Sequence, residues 1–218
     1  MRLPIALAGF ASAASALSLR QAPPFPAPSI TNITYWGSAC PENGLSYSLT
    51  SPNSTSTPFT TNTSTSMLSF ELSNFAPNFG SFGSSLRMCN AVAFLQVQGG
   101  WKVVVNGRGT TAKGAVELGE GVRLYLRGTW MVSRAPWDQS IGMFDVPGPL
   151  GGPFSQLLTP VEGNEKGVET GCEGWETELD AEFQARAVNE TYGGFKGEME
   201  ATVDAAWTLT TDVEVIRC

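Results

Sequence analysis

Residues 178–187 read ELDAEFQARA, and the character of the side chain changes at every step. Leu179, Ala181, Phe183, Ala185 and Ala187 form one series; Glu178, Asp180, Glu182, Gln184 and Arg186 form the other. A helix of period 3.6 would smear both series around its axis, whereas the pleat of a strand sends one to a core and the other to water. The segment therefore reads as a half-buried antiparallel strand with a charged outer face. The same alternation recurs where Met199, Ala201, Val203, Ala205, Trp207 and Leu209 oppose Glu198, Glu200, Thr202 and Asp204. It recurs again where Leu68, Phe70, Leu72 and Asn74 oppose Met67, Ser69, Glu71 and Ser73.

Outward from these segments, residues 30–36 form a first strand, and the turn-rich 37–44 holds Cys40. Apolar, β-branched runs at 91–97 and 101–105 flank Gly99-Gly100, a hairpin signal that Asn106-Gly107 repeats at once. Runs at 115–118 and 122–132 continue the meander across Gly119-Glu120-Gly121. Residues 147–160, PGPLGGPFSQLLTP, break both periodicities and read as an irregular connection. Residues 51–66, SPNSTSTPFTTNTSTS, read as a long solvated Ser/Thr-rich loop. Short strands at this spacing predict an all-β, antiparallel two-sheet sandwich or jelly roll, formed by a single domain over 30–218.

Met1 and Arg2 precede an apolar run, residues 3–17, that is too short to span a bilayer and ends in the small residues Ala14 and Ala16. That is the pattern of a secretory signal peptide over 1–16, cut after Ala16 or, alternatively, after Ala13. A Pro-rich leader, 17–29, follows. The chain ends without a hydrophobic lipid-anchor tail, which predicts an extracellular or cell-wall protein without a membrane partner.

Cys40, Cys89, Cys172 and Cys218 are an even set for an oxidising compartment, so two disulfides are expected. Three pairings are possible. Chain order favours nearest neighbours, Cys40 with Cys89 and Cys172 with Cys218, each loop contributing about 4 kcal/mol in the chain-entropy model. Sequons at Asn32, Asn53, Asn62 and Asn189 predict a glycoprotein.

The chain carries a formal charge of −7, unevenly divided. Residues 138–218 hold 16 of the 20 acids and 4 of the 13 bases, a net charge of −12. Outward-pointing strand carboxylates account for this, and the overall sign disfavours nucleic acid. There is no histidine, which excludes Ser/His/Asp and Cys/His mechanisms and the usual zinc ligand sets. Glu178, Asp180 and Glu182 share a strand face, but no calcium-loop motif occurs, so no metal site and no cofactor is assigned. The best candidate for a catalytic carboxylate pair is Glu173 and Glu176 beside Trp175, since an apolar wall can raise a carboxylate pKa. Of six tryptophans, those at 101, 130 and 207 fall in strand patterns and suit the core. Trp137 and Trp175 lie near turns and, with Glu173 and Glu176, form the candidate binding surface.

The stretches ITYWGSAC (33–40) with Pro41, NFAPNFGSFGSSLRMC (74–89), and the Gly-rich hairpin series 99–130 resemble the fungal secreted domain-of-unknown-function family numbered 4360. Gly37, Cys40, Pro41, Cys89, Gly100-Trp101, Arg108-Gly109, Gly128, Cys172 and Cys218 carry the resemblance. The chain departs from the family pattern at Ser84-Ser85-Leu86-Arg87, where a more basic stretch is usual, in having no tryptophan near Cys218, and in its longer Ser/Thr loop. The resemblance implies a small secreted β domain with two disulfides and no assigned activity. Together these features predict a noncatalytic fungal glycoprotein binding cell-wall polysaccharide or a host extracellular protein. The alternatives are a carboxylate-pair glycan hydrolase and a structural wall or matrix component.

Overall fold

The alternation at 178–187 lies within a strand, Thr177–Asn189, and all five residues of its apolar series are buried. The computed structural model describes residues 25–51, 63–75, 77, 84–132, 137–189 and 206–218. The signal peptide expected over 1–16, residues 17–24, the loop residues 52–62 with Asn53 and Asn62, residues 198–205 of the last alternating segment, and the side chain of Asn189 lie outside the described set.

In chain order the strands are β1 (Ser29–Trp36), β2 (Leu45–Thr50), β3 (Thr63–Leu72), β4 (Ser84–Gln96), β5 (Trp101–Leu118) and β6 (Val122–Val132). They continue with β7 (Gln139–Pro147), β8 (Leu150–Pro160), β9 (Val168–Glu169), β10 (Thr177–Asn189) and β11 (Trp207–Arg217). All pairings are antiparallel and trace one path, β1-β4-β10-β6-β7-β8-β5-β11-β3-β2, with β9 alongside β5. The two ends of that path, β1 and β2, are consecutive in the chain, joined by residues 37–44. The sheet thus curls into a nearly closed, barrel-like wall, where a sandwich of two sheets or a jelly roll was expected.

The curl is driven by burial. The inward series of β6 and β10 meets that of β3: Phe70 lies 5.9 Å from Trp130 and 5.5 Å from Phe183, ring centre to ring centre. Trp207 of β11 packs 5.5 Å from both Phe75 and Phe154. Trp130 and Trp207 are fully buried as expected, whereas Trp101 is only half-buried, with Phe25 against its edge at 5.1 Å. Burying aromatic rings of this size is among the largest single contributions a core receives. The disulfides pair nearest neighbours, Cys40–Cys89 and Cys172–Cys218, with Cα separations of 5.4 and 6.2 Å.

Several local expectations are corrected. Gly99-Gly100 and Gly119-Glu120-Gly121 reverse the chain but make no hairpins. β4 and β6 pair with β10, β5 pairs with β8, β9 and β11, and each turn carries the chain across the barrel. Asn106-Gly107 is not a turn between strands either. β5 runs through it, and residues 106–109 bulge out opposite Asp212, the register stepping from Val105↔Val213 to Thr110↔Thr211. Asn106 holds φ 63° there, a conformation that asparagine tolerates better than most residues. Its buried carboxamide donates to Ser140 Oγ at 2.9 Å and accepts from Thr110 Oγ1 at 2.7 Å and Thr211 Oγ1 at 3.0 Å. Thr110 Oγ1 in turn accepts from Trp130 Nε1 at 2.9 Å.

Residues 147–160 are not irregular, since they supply the end of β7 and all of β8. β8 pairs with β5 over residues 150–158 but with β7 only at Thr159 and Pro160, so Pro153 and the glycines sit where one side of the ladder is open. At that seam a Cβ on Gly142 would lie 2.5 Å from Leu158 O, so the backbones meet only because residue 142 has no side chain. Finally, β3 begins at Thr63 rather than Met67, with Ser66 already buried.

Candidate functional site

The four residues singled out from sequence sit at one end of the barrel. Trp175, Glu173 and Glu176 occupy the segment between β9 and β10, and all three are exposed, Trp175 by 77%. That segment is held firmly. Cys172 is bonded to Cys218, Gly100 N donates to Cys172 O at 2.9 Å, and Cys218 N donates to Gly100 O at 3.0 Å. Gly174, at φ +77°, abuts Gly99 so closely that a Cβ would fall 2.4 Å from Gly99 N. Glu176 accepts from Thr31 Oγ1 at 2.5 Å. Trp137, 86% exposed, stands just before β7, whose Gln139 pairs with Met131. Since Leu179 pairs with Val132, Trp137 and Trp175 belong to the same end of the adjoining strands β7, β6 and β10. Both glutamates face solvent rather than lining an enclosed cleft.

A second surface escaped the sequence reading. β1, β4, β10, β6 and β7 form one continuous face, and their outward residues line up across the strands. Trp36 pairs with Asn90, Asn90 with Glu182, Glu182 with Thr129 and Thr129 with Ile141. The adjacent row is Thr34, Val92, Asp180 and Met131. Trp36 is 55% exposed, and beside it lies a groove of about 360 Å³ whose wall includes Glu178, Asp180, Glu182 and Met131. The carboxylates are the outer series of ELDAEFQARA; they line a groove rather than standing as isolated charges. Among the described residues no three His, Cys, Asp or Glu side chains converge as metal ligands would. Trp36 was legible in principle: Ile33 and Tyr35 share one parity and lean on the core, which leaves Trp36 on the other face.

Farther along the same face, β10, β6 and β7 frame a larger groove of about 670 Å³, bordered by Tyr125, Arg127, Met143, Asp145, Gln184 and Arg186. On the opposite side of the barrel, Asp212 is buried facing the β5 bulge. Its Oδ1 accepts from Arg108 N at 3.0 Å, and its Oδ2 has no hydrogen-bond partner among the described residues. Burial pushes this carboxyl above its ordinary pKa, with the Glu214 charge adding to the effect and the Arg108 amide opposing it.

The chain from residue 26 to residue 218 matches the model of a family described as a domain of unknown function, DUF4360. It is a member of that family. The match takes in every strand and all four cysteines of the DUF4360 domain. No curated protein sequence matches it. Among solved structures, it is similar to a family 11 carbohydrate-binding module from Clostridium thermocellum in complex with a β-1,3-1,4-mixed-linked tetrasaccharide. Identity there is 7%, with 87% of this chain and 91% of the other covered and a TM-score of 0.20. It is also similar to the CBM22-1–GH10 modules of xylanase 10B from the same organism, complexed with xylohexaose. That match has 10% identity, covers 81% of this chain and 26% of the other, and has a TM-score of 0.20. At such scores neither likeness bears on how the DUF4360 domain works.

Proposed function

We propose that this DUF4360 protein is a secreted, noncatalytic fungal glycoprotein that binds polysaccharide at a cell wall or host surface. The observation that carries the proposal is the outward face of β1, β4, β10 and β6, where an exposed indole, Trp36, borders a groove edged by carboxylates. A sugar ring offers an apolar C–H face and a rim of hydroxyls. The first stacks on an aromatic ring and the second donates to carboxylate oxygens. A shallow site of this kind grips a polymer without enclosing the bond that a hydrolase would need to reach. The expected signal peptide, the two disulfides and the sequons support an extracellular setting.

Trp137 and Trp175 support a second reading, in which the barrel end binds. Its basis is the pairing of strong exposure with a segment anchored by Cys172–Cys218. Titration with soluble glucan, xylan and chitin oligosaccharides, followed by tryptophan fluorescence, separates the two. Quenching abolished by Trp36→Ala and kept in Trp137→Ala/Trp175→Ala supports the sheet face. The reverse pattern moves the site to the barrel end, and no response to any glycan rejects polysaccharide binding.

A further inference from the structure

We propose that the groove between β10, β6 and β7 is an acid-recognising subsite, so that the polysaccharide taken is a neutral backbone carrying isolated uronate groups. The inference rests on the polysaccharide reading above and specifies its ligand. Tyr125 is 38% exposed and Met143 50%, which gives the groove an aromatic and apolar floor. Two guanidinium groups flank the tyrosine. Arg186 pairs with it directly across β10, and Arg127 is the next outward residue along β6, about 7 Å away.

Among the described residues, the positive charges beside Tyr125 are not balanced by carboxylates. Asp145, across β7 from the tyrosine, is held by Arg123, whose Nη1 donates at 2.8 Å to Oδ1 and 2.7 Å to Oδ2. Gln184 donates to Glu182. Arg127 Nε donates to Thr129 Oγ1 at 3.1 Å, which steadies the guanidinium and leaves both terminal nitrogens without a partner among the described residues. Among the described residues no carboxylate forms an ion pair with Arg127 or Arg186. A planar, bidentate anion suits two such donors, and a ring to stack on Tyr125 must accompany it. The carboxylate of a hexuronic acid supplies both features within one residue.

The neighbouring groove sets the pattern of charge along the polymer. Trp36 lies three inter-strand steps from β6, about 15 Å, and the strand between the grooves contributes Glu178, Asp180 and Glu182 to the first and Arg186 to the second. A chain of consecutive uronates crossing both would set a carboxylate against Glu182, whose partner Gln184 is neutral. A neutral backbone with one acidic branch avoids the repulsion, because its hydroxyls meet the acids and its single carboxylate meets the arginines.

Isothermal titration with xylotetraose carrying one glucuronosyl branch, unbranched xylotetraose and tetragalacturonate at low ionic strength tests this. The branched sugar should bind about tenfold more tightly than the unbranched one. Arg127→Gln and Arg186→Gln should each remove most of that ratio, while Trp36→Ala weakens both sugars in proportion. Arg186 is exposed and Arg127 faces outward, so unchanged melting temperatures would show that these variants fold. Equal affinity for branched and unbranched sugars overturns the acid subsite and leaves polysaccharide binding standing. Tighter binding of tetragalacturonate overturns the isolated-uronate pattern, and no binding of any of the three overturns the acid subsite, whereas polysaccharide binding itself falls only when the glucan, xylan and chitin titration above also gives no response.

Discussion

Replacing Asp212 with Asn should stabilise the protein at neutral pH and lose that advantage in acid. One carboxylate oxygen is served by the Arg108 amide, but Oδ2 is buried beside the 106–109 bulge without a donor. A buried, unsatisfied polar atom costs about 1–3 kcal/mol, and more when it carries charge. Asparagine keeps the Oδ1 acceptor and removes the charge, but its amide group would also lack a partner, so the net gain is about 1 kcal/mol. For a chain of this size that raises Tm by about 2–4 °C. The direction with pH follows from linkage. Burial raises the folded-state pKa above the ordinary 3.8, so the native protein holds this proton more firmly than the unfolded chain. The penalty is fully present above the folded-state pKa and disappears as pH falls through it toward 3.8. Differential scanning calorimetry of both proteins from pH 7 to pH 3.5 should therefore show a gap that closes on acidification. A gap of constant size, or a variant less stable than the parent at pH 7, would refute the reasoning.

Three further outcomes follow from the same structure. Asn106→Ala strips the bulge of its carboxamide and leaves the buried Ser140, Thr110 and Thr211 hydroxyls short of partners, so urea denaturation should show a loss of about 3 kcal/mol. Replacing Cys172 and Cys218 with Ser should cost about 2–4 kcal/mol and speed proteolysis within residues 170–176, while Trp36-dependent sugar binding persists. Asn32 is exposed on the strand that presents Trp36 and has the same outward parity. Asn32→Gln in protein produced by a glycosylating host should therefore tighten polysaccharide binding, and equal affinity with and without the sequon would show that a glycan there does not shade the groove.

The sequence disclosed strands where the core makes a strict demand and concealed them where it does not. β10 and β6 are paired on both sides and packed against Phe70, so each inward position must be apolar and the alternation is plain. β8 has a neighbour along one side over most of its length, and there Pro153 and the paired glycines cost no ladder bonds, so its pattern reads as a loop. Turn chemistry locates a reversal but not the partner. Gly99-Gly100 crosses the barrel with the same residues a hairpin would use, and Asn106-Gly107 spends its left-handed backbone on a buried bulge. Trp137 and Trp175 were singled out because they stand beside turns, and both are exposed. The Trp36 groove was missed because it is assembled by register among four strands, three of them distant in sequence from β1, and register is a tertiary property.

The most direct test of the account is the set of six indole N–H resonances in a ¹H–¹⁵N spectrum, with the Trp36 signal assigned from Trp36→Phe. Addition of a soluble glucuronoxylan oligosaccharide should shift the Trp36 resonance and leave those of the buried Trp130 and Trp207 in place. Perturbation confined to Trp137 and Trp175, or a spectrum that does not change at saturating sugar, would contradict a binding site on the β1-β4-β10-β6 face.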